Sequence, residues 1–218
     1  MRRVVFWVVI LGLFSVPPLL AGELSMDFED QVLGSMPRDF YSAQTGDRGH
    51  LASWKVVEDF TAPKGAKVLV VSPDPGTNRG NCFNVIIYRD MLFRDLSLSV
   101  WVKALGGQED QGGGPLWRAR GANDYYVVRW NPLEDNFRLY YVKNGKRKML
   151  ASAQVKARPN KWHLIQVIHR GRYIRCSFDG EELIKVTDAT FFQPGMVGLW
   201  TKADATTAFD GLEVKSLK

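Results

Sequence analysis

Tyr125-Tyr126-Val127-Val128-Arg129-Trp130-Asn131, followed by Phe137-Arg138-Leu139-Tyr140-Tyr141-Val142-Lys143 and then Asn144-Gly145, decides the fold. Both runs are rich in aromatic and β-branched residues, which suit extended chain. Successive side chains of a strand point to opposite faces. Tyr125, Val127, Arg129 and Asn131 therefore share one face, and Tyr126, Val128 and Trp130 the other. Arg138 and Tyr140 share a face in the second run. Asn-Gly supplies the two positive φ angles of a type I′ turn, so Phe137–Lys143 folds back antiparallel onto Lys146–Gln154. Asp179-Gly180 does the same between Tyr173–Phe178 and Glu181–Thr187.

Outward from there the pattern repeats. Leu96-Ser97-Leu98-Ser99-Val100-Trp101-Val102 alternates with Leu96, Leu98, Val100 and Val102 together, and Ile174, Cys176 and Phe178 share a face. Further strands are expected at Trp54–Glu58, Lys67–Ser72, Phe83–Tyr88, Leu116–Arg120, Trp162–His169, Met196–Lys202 and Ala208–Lys215. Short strands at regular spacing between turn residues indicate an all-β sandwich or barrel. Sustained helical periodicity is absent. Trp54, Trp101 and Trp162 are expected to fill the core. Ser72–Gly80 and the glycine-rich Gly106–Gly114 read as loops. No Lys-Ser/Thr follows the glycines, so they do not make a phosphate cradle.

The start of the chain reads as an export signal: Arg2-Arg3, the apolar run Val4–Val16, then Pro17-Pro18-Leu19-Leu20-Ala21. Cleavage after Ala21 leaves 22–218 as one domain in a secreted or periplasmic protein; the alternative is an uncleaved anchor. No membrane contact is expected beyond this segment. Two cysteines, Cys82 and Cys176, lie in apolar runs. Export permits a disulfide between them, and two buried thiols are equally consistent. The net charge of +6 comes with no long basic block, so no nucleic-acid partner is expected. Lys143, Lys146, Arg147 and Lys148 flank the Asn-Gly turn and read as a solvated hairpin tip.

Pro115-Leu116-Trp117-Arg118, Asn123–Arg129, Asn131–Tyr140, Trp162-His163, Phe178-Asp179-Gly180, Gly198–Asp204 and Phe209-Asp210-Gly211-Leu212-Glu213-Val214 together resemble the concanavalin A-like lectin/glucanase superfamily. Within it the chain is most similar to exported bacterial laminin-G-like proteins and the 3-keto-disaccharide hydrolase domain. That group begins Phe-Asn-Gly-Lys, where this chain has Phe28-Glu29-Asp30. The resemblance spans about Asp27 to Ser216. It implies a two-sheet antiparallel jelly-roll β-sandwich with one concave face.

Three chemistries are candidates. A glycan site needs flat aromatics and planar polar groups. Arg118, Tyr125, Arg129, Asn131, Arg138 and Tyr140 could form one such patch if their strands are neighbours, with Trp200 and Lys202 from another strand. The bland alternative is an exposed sheet face with cross-strand pairs. Glycoside cleavage needs two opposed carboxyls. The Glu-x-Asp-x-x-Glu strand motif of glucanases is absent, so a pair would have to assemble from Glu134, Asp135 and Asp204. Alternatively, Asp135 and Asn136 simply cap a hairpin loop. Pairing of first and last strands would bring Asp27, Glu29 or Asp30 near Asp210, where a structural Ca²⁺ could bind; surface acids are the plainer reading. No other cofactor is implied. No Gly-x-Ser-x-Gly, Cys-x-x-Cys or His-Glu-x-x-His motif is present. His163 and His169 are too far apart to chelate one metal. An exported glycan-binding module of polysaccharide or glycoside is the expected function. A 3-keto-disaccharide-type hydrolase or a structural adhesion domain is the alternative. Oligomeric state is left open.

Overall fold

The computed structural model describes residues 22–46 and 49–218; the export signal read at 1–21 lies outside them. The strands are β1 (Glu23–Met26), β2 (Phe40–Thr45), β3 (Ser53–Glu58), β4 (Lys67–Ser72), β5 (Phe83–Phe93), β6 (Leu96–Gly106), β7 (Gly114–Gly121) and β8 (Asp124–Asn131). They continue with β9 (Asn136–Lys143), β10 (Lys146–Gln154), β11 (His163–Arg170), β12 (Tyr173–Phe178), β13 (Glu181–Thr187), β14 (Gly195–Lys202) and β15 (Thr206–Ser216). The described residues contain no helix. Every strand pairing is antiparallel. One sheet runs β13-β12-β11-β6-β15-β4-β3, with β1 also on β15; the other runs β10-β9-β8-β7-β14-β5-β2. This is the all-β architecture that the alternation predicts, in the two-sheet jelly-roll form that the resemblance implies. β1 and β2 are the strands that the sequence reading did not separate out.

Both tight hairpins take the expected form. Asn144 and Gly145 have φ of 50° and 71°, and Asp179 and Gly180 have 49° and 86°. Lys143 is thereby paired with Lys146, and Phe178 with Glu181. Between the sheets lies one core. Leu96, Leu98, Val100 and Val102 of β6 meet Trp117, Tyr126, Val128, Trp130, Phe137 and Leu139 of the second sheet. Trp54 belongs to this core, but Trp101 and Trp162 do not and are half-exposed. On β6 the inward positions are already taken by Val100 and Val102, so alternation turns Trp101 outward. Trp162 precedes β11 and carries the Lys103 ammonium 4.9 Å above its ring. Cys176 is in the core, Cys82 lies beside Gln44 and Asn84, and they form no disulfide.

A second apolar cluster occupies the opposite face of the β10–β2 sheet. It contains Phe83, Val85, Ile87, Leu116, Tyr125, Val127, Tyr140, Val142 and Trp200. A flat sheet face turned from the core would leave such residues wet. Here the sheet curls over them. Strands β10 and β5 are five places apart, on the order of 24 Å in a flat sheet. Yet the Arg147 guanidinium of β10 lies 4.8 Å from the Phe83 ring of β5. Thr45, at the end of β2, bonds Ala122 O at 2.7 Å beyond the end of β7, and Gly46 N donates to Asn123 Oδ1 at 2.9 Å. The curl draws neighbouring backbones together at glycines. A Cβ on Gly114 or Gly198 would meet the Val128 or Ile86 carbonyl oxygen at 2.1 Å. The outer face of this sheet is therefore a hollow.

Candidate functional site

The hollow is floored by aromatics that support one another. Tyr125 OH lies 2.6 Å from Thr45 Oγ1 and accepts from Trp200 Nε1 at 3.1 Å. Trp200 stacks at a tilt on Phe83 with ring centroids 5.3 Å apart. Tyr125 and Trp200 are fully buried and Tyr140 is 4% exposed. A sugar ring cannot stack on any of them as they stand. Burial pushes the Tyr125 hydroxyl well above the ordinary phenol range. Over this floor lies the Arg147 guanidinium, 4.5 Å from the Tyr140 ring, 4.8 Å from Phe83 and 6.0 Å from Trp200. Three aromatic faces hold one cation by their quadrupoles.

Beside the floor sits a polar network. The loop Gly106–Gly114 brings Asp110 in, almost fully buried, where it takes the Lys202 ammonium at 2.9 Å and Asn131 Nδ2 at 3.0 Å. Arg129, 2% exposed, donates to Asn136 Oδ1 at 2.7 Å and to Glu134 Oε2 at 3.0 Å. The same Glu134 oxygen takes Arg138 Nη1 at 2.9 Å and Asn136 Nδ2 at 2.8 Å. Burial raises the Asp110 carboxyl, against the lowering influence of Arg129 and Lys202. Burial would also raise Glu134, but hydrogen bonds from Asn136 and Arg129 outweigh it and hold Glu134 at about 2.

Tyr125, Arg129, Asn131, Arg138, Tyr140, Trp200 and Lys202 thus lie on one face. Arg118 does not join them, which corrects the sequence expectation. Its φ of 48° marks a bulge, and the β7–β8 register slips between Trp117 and Gly121. An extra residue in one strand redirects the side chains that follow it. Arg118 instead bonds Arg94 O, Gly171 O, Phe191 O and Asp95 Oδ1 at 2.7–3.1 Å. It is a fully buried clamp across three loops.

The three acids offered as a catalytic set are dispersed. Glu134 is engaged as described. Asp135 has φ of 50° in the β8–β9 turn, and its carbonyl receives Val155 N at 2.9 Å. Asp204 accepts the backbone N–H groups of Gln108, Glu109 and Asp110, so it shapes the loop that delivers Asp110. Burial works to raise the Asp204 carboxyl, and those three donors bring it below its ordinary value.

Glu29 and Asp210 both hold the backbone of the turn at 64–67, and the Glu29 charge is felt at Asp210. Glu29 Oε1 accepts Ala66 N and Lys67 N at 2.8 and 2.6 Å, and Asp210 Oδ2 accepts Lys64 N at 2.7 Å. Asp210 Oδ1 is buried without a hydrogen-bond partner. Burial, with the charges of Asp27 and Glu29, lifts the Asp210 carboxyl to about 6. Its unpartnered oxygen suits a cation, but the ligand set does not. Among the described residues no three His, Cys, Asp or Glu side chains gather closely enough to hold a metal.

Sequence reasoning missed Asp110, Asn136, Phe83 and Arg147. Arg147 was within reach of it: the Asn-Gly turn pairs Arg147 with Val142, two residues along from Tyr140, and so puts all three on one face. Asp110 gave no signal, because its partners come from 21 and 92 residues away.

No family model and no curated protein matches the chain. Solved structures do. The carbohydrate-binding module CBM66 from Bacillus subtilis is 16% identical, with 80% of this chain and 95% of that one covered at a TM-score of 0.63. The cellulose-induced protein Cip1 is 15% identical over 89% and 97%, also at 0.63. Domain 4 of AbnA, a GH43 extracellular arabinanase from Geobacillus stearothermophilus solved with arabinotriose, is 15% identical over 89% and 91%, at 0.56. At these identities the likeness is one of fold alone, the two-sheet antiparallel jelly roll.

Proposed function

We propose that the chain is an exported, non-catalytic carbohydrate-binding module whose ligand lies at the hollow of the β10–β2 sheet. One observation carries this reading. The hollow gathers Arg129, Arg138, Arg147 and Lys202, and its two carboxylates are spent holding three of those cations. What the hollow presents is directed hydrogen-bond donors, which orient hydroxyls and acidic groups. A proton-transfer pair is not presented. The fold class supports the reading, since proteins that bind carbohydrate share it, CBM66 and the arabinotriose-bound domain among them. Export rests on the sequence of residues 1–21. Among the described residues no helix is long and apolar enough to cross a membrane.

Glycoside cleavage, including the 3-keto-disaccharide type, has one observation in its favour. Asp110 is raised and Glu134 lowered, as an acid and its partner would be. Against it, Asp110 is 1% exposed and locked to Lys202 and Asn131, so it cannot reach a glycosidic oxygen.

Affinity electrophoresis against a panel of neutral and acidic polysaccharides tests the proposal. Retardation by at least one polysaccharide is expected, and Arg138→Ala should weaken it severalfold, since Arg138 is a third exposed at the rim. Reducing-sugar release that Asp110→Asn abolishes would replace binding with catalysis. No retardation by any polysaccharide, with the fold intact, would end the proposal.

A further inference from the structure

We infer that the saccharide bound at this hollow is acidic, and that its carboxylate or sulfate group pairs with the Arg147 guanidinium. This rests on the binding reading above and names its ligand class. The stretch Lys143–Lys148 looks from sequence like a solvated hairpin tip, and for Arg147 the structure corrects that. The side chain is folded inward over Phe83, Tyr140 and Trp200. Its Nη1 is buried and has no hydrogen-bond partner. No ion pair joins Arg147 to any acid among the described residues.

The other cations of the hollow are compensated. Arg129 and Arg138 share Glu134, and Lys202 has Asp110. Arg147 has only ring faces, and burial makes its charge costlier, which favours the neutral form. Guanidinium does not deprotonate in a protein, so the charge stays. The group lines a cavity of about 340 Å³ with Thr45, Asn81, Phe83 and Lys146, and among the described residues no acid lines it. That volume falls in the range of small-ligand pockets. Lys143, Lys146 and Lys148 extend the positive field along a neighbouring groove. The acid at the turn, Asp124, accepts the backbone N–H of Asn144.

A partly desolvated guanidinium with spare donors, facing a pocket whose described charged residues are all basic, selects a planar anion that it can bond in parallel. A neutral sugar would find the aromatic faces covered by a cation and would leave that charge uncompensated. The aromatic floor therefore holds the arginine in place, and the arginine meets the ligand.

The test uses the full mature chain in affinity electrophoresis and calorimetry, with polygalacturonate, carrageenan, levan and pullulan as probes. Acidic chains are expected to bind and the neutral ones to bind far more weakly. Binding to acidic chains should fall steeply as salt is raised. Arg147→Met should weaken it roughly tenfold or more, as loss of a charge-assisted pair does. Arg147→Lys should recover only part, because the charge returns without the fork. Retention by polygalacturonate alone assigns a carboxylate, and by carrageenan alone a sulfate ester. Thermal melts of both variants check the fold. Preference for levan or pullulan, or an unchanged affinity in folded Arg147→Met, would overturn the inference while leaving a glycan module standing. Binding to none of the four probes overturns the acidic-ligand inference; a neutral polysaccharide from the wider panel would then leave the module reading intact.

Discussion

Arg118 and Arg147 are both arginines of the curled sheet with guanidinium groups drawn wholly or partly out of water, and they differ in what surrounds the charge. Arg118 uses Nε, Nη1 and Nη2 to bind three carbonyl oxygens and the Asp95 carboxylate. Arg147 meets only ring faces and keeps an Nη1 with no partner. A saturated buried charge ties the fold together. An unsaturated one costs stability and has something left to offer a ligand. Asp210 is the anionic counterpart of Arg147, buried with one oxygen satisfied and the other empty.

The largest effect should come from Arg118. Replacing it with Ala strands the Arg94, Gly171 and Phe191 carbonyls and leaves Asp95 without its cation. Breaking one partner of such a buried ionic network costs about 3–5 kcal/mol. Urea unfolding should register that loss. Glycan binding by the fraction still folded should be unchanged, because Arg118 lies off the hollow. A loss under 1 kcal/mol would mean that saturation is not what marks a structural arginine here.

Asp210 comes next, with a sign fixed by its pKa. The folded value of about 6 stands above an unfolded carboxyl near 3.9. The neutral acid therefore favours folding. That contribution is complete below about pH 4 and is lost as pH rises through about 6. Two pKa units correspond to about 2–3 kcal/mol. In calcium-free buffer at pH 7.5, Asp210→Asn should gain about 2 kcal/mol over the parent, and that gain should vanish as pH falls to about 4. A gain from Asp210→Asn that is the same at about pH 4 as at about pH 7.5 would refute the assignment. Stabilisation by added Ca²⁺ that Asp210→Asn abolishes would place a cation on the empty oxygen.

Arg118, Asp110 and Arg147 also mark how far the chain could be read unaided. Alternation in β6, β8 and β9 and the two I′ turns are local, so the sandwich and most of the polar face follow from neighbours in sequence. Arg118 misled because a bulge at one φ angle reverses the alternation, and no residue type announces it. Asp110 was invisible because a glycine loop carries it to partners that only the closed fold brings near. Arg147 was legible from turn register. It was passed over because a run of charges at a hairpin tip resembles a solvated surface until the sheet is known to curl.

The smallest effect on stability should be that of Arg147→Met, and its smallness is the sharpest form of the comparison. The substitution forfeits cation–π contacts worth about 1–2 kcal/mol when desolvated. It also removes the cost of holding a partly buried, unpaired charge and lets an apolar side chain cover Phe83, Tyr140 and Trp200. Buried charges replaced by apolar groups of similar volume are often neutral or stabilising. Urea unfolding should therefore place the variant within about 1 kcal/mol of the parent, in either direction. The same protein should have lost its hold on acidic polysaccharide. A destabilisation above 3 kcal/mol would make Arg147 a second clamp, and its empty nitrogen would no longer distinguish it from Arg118.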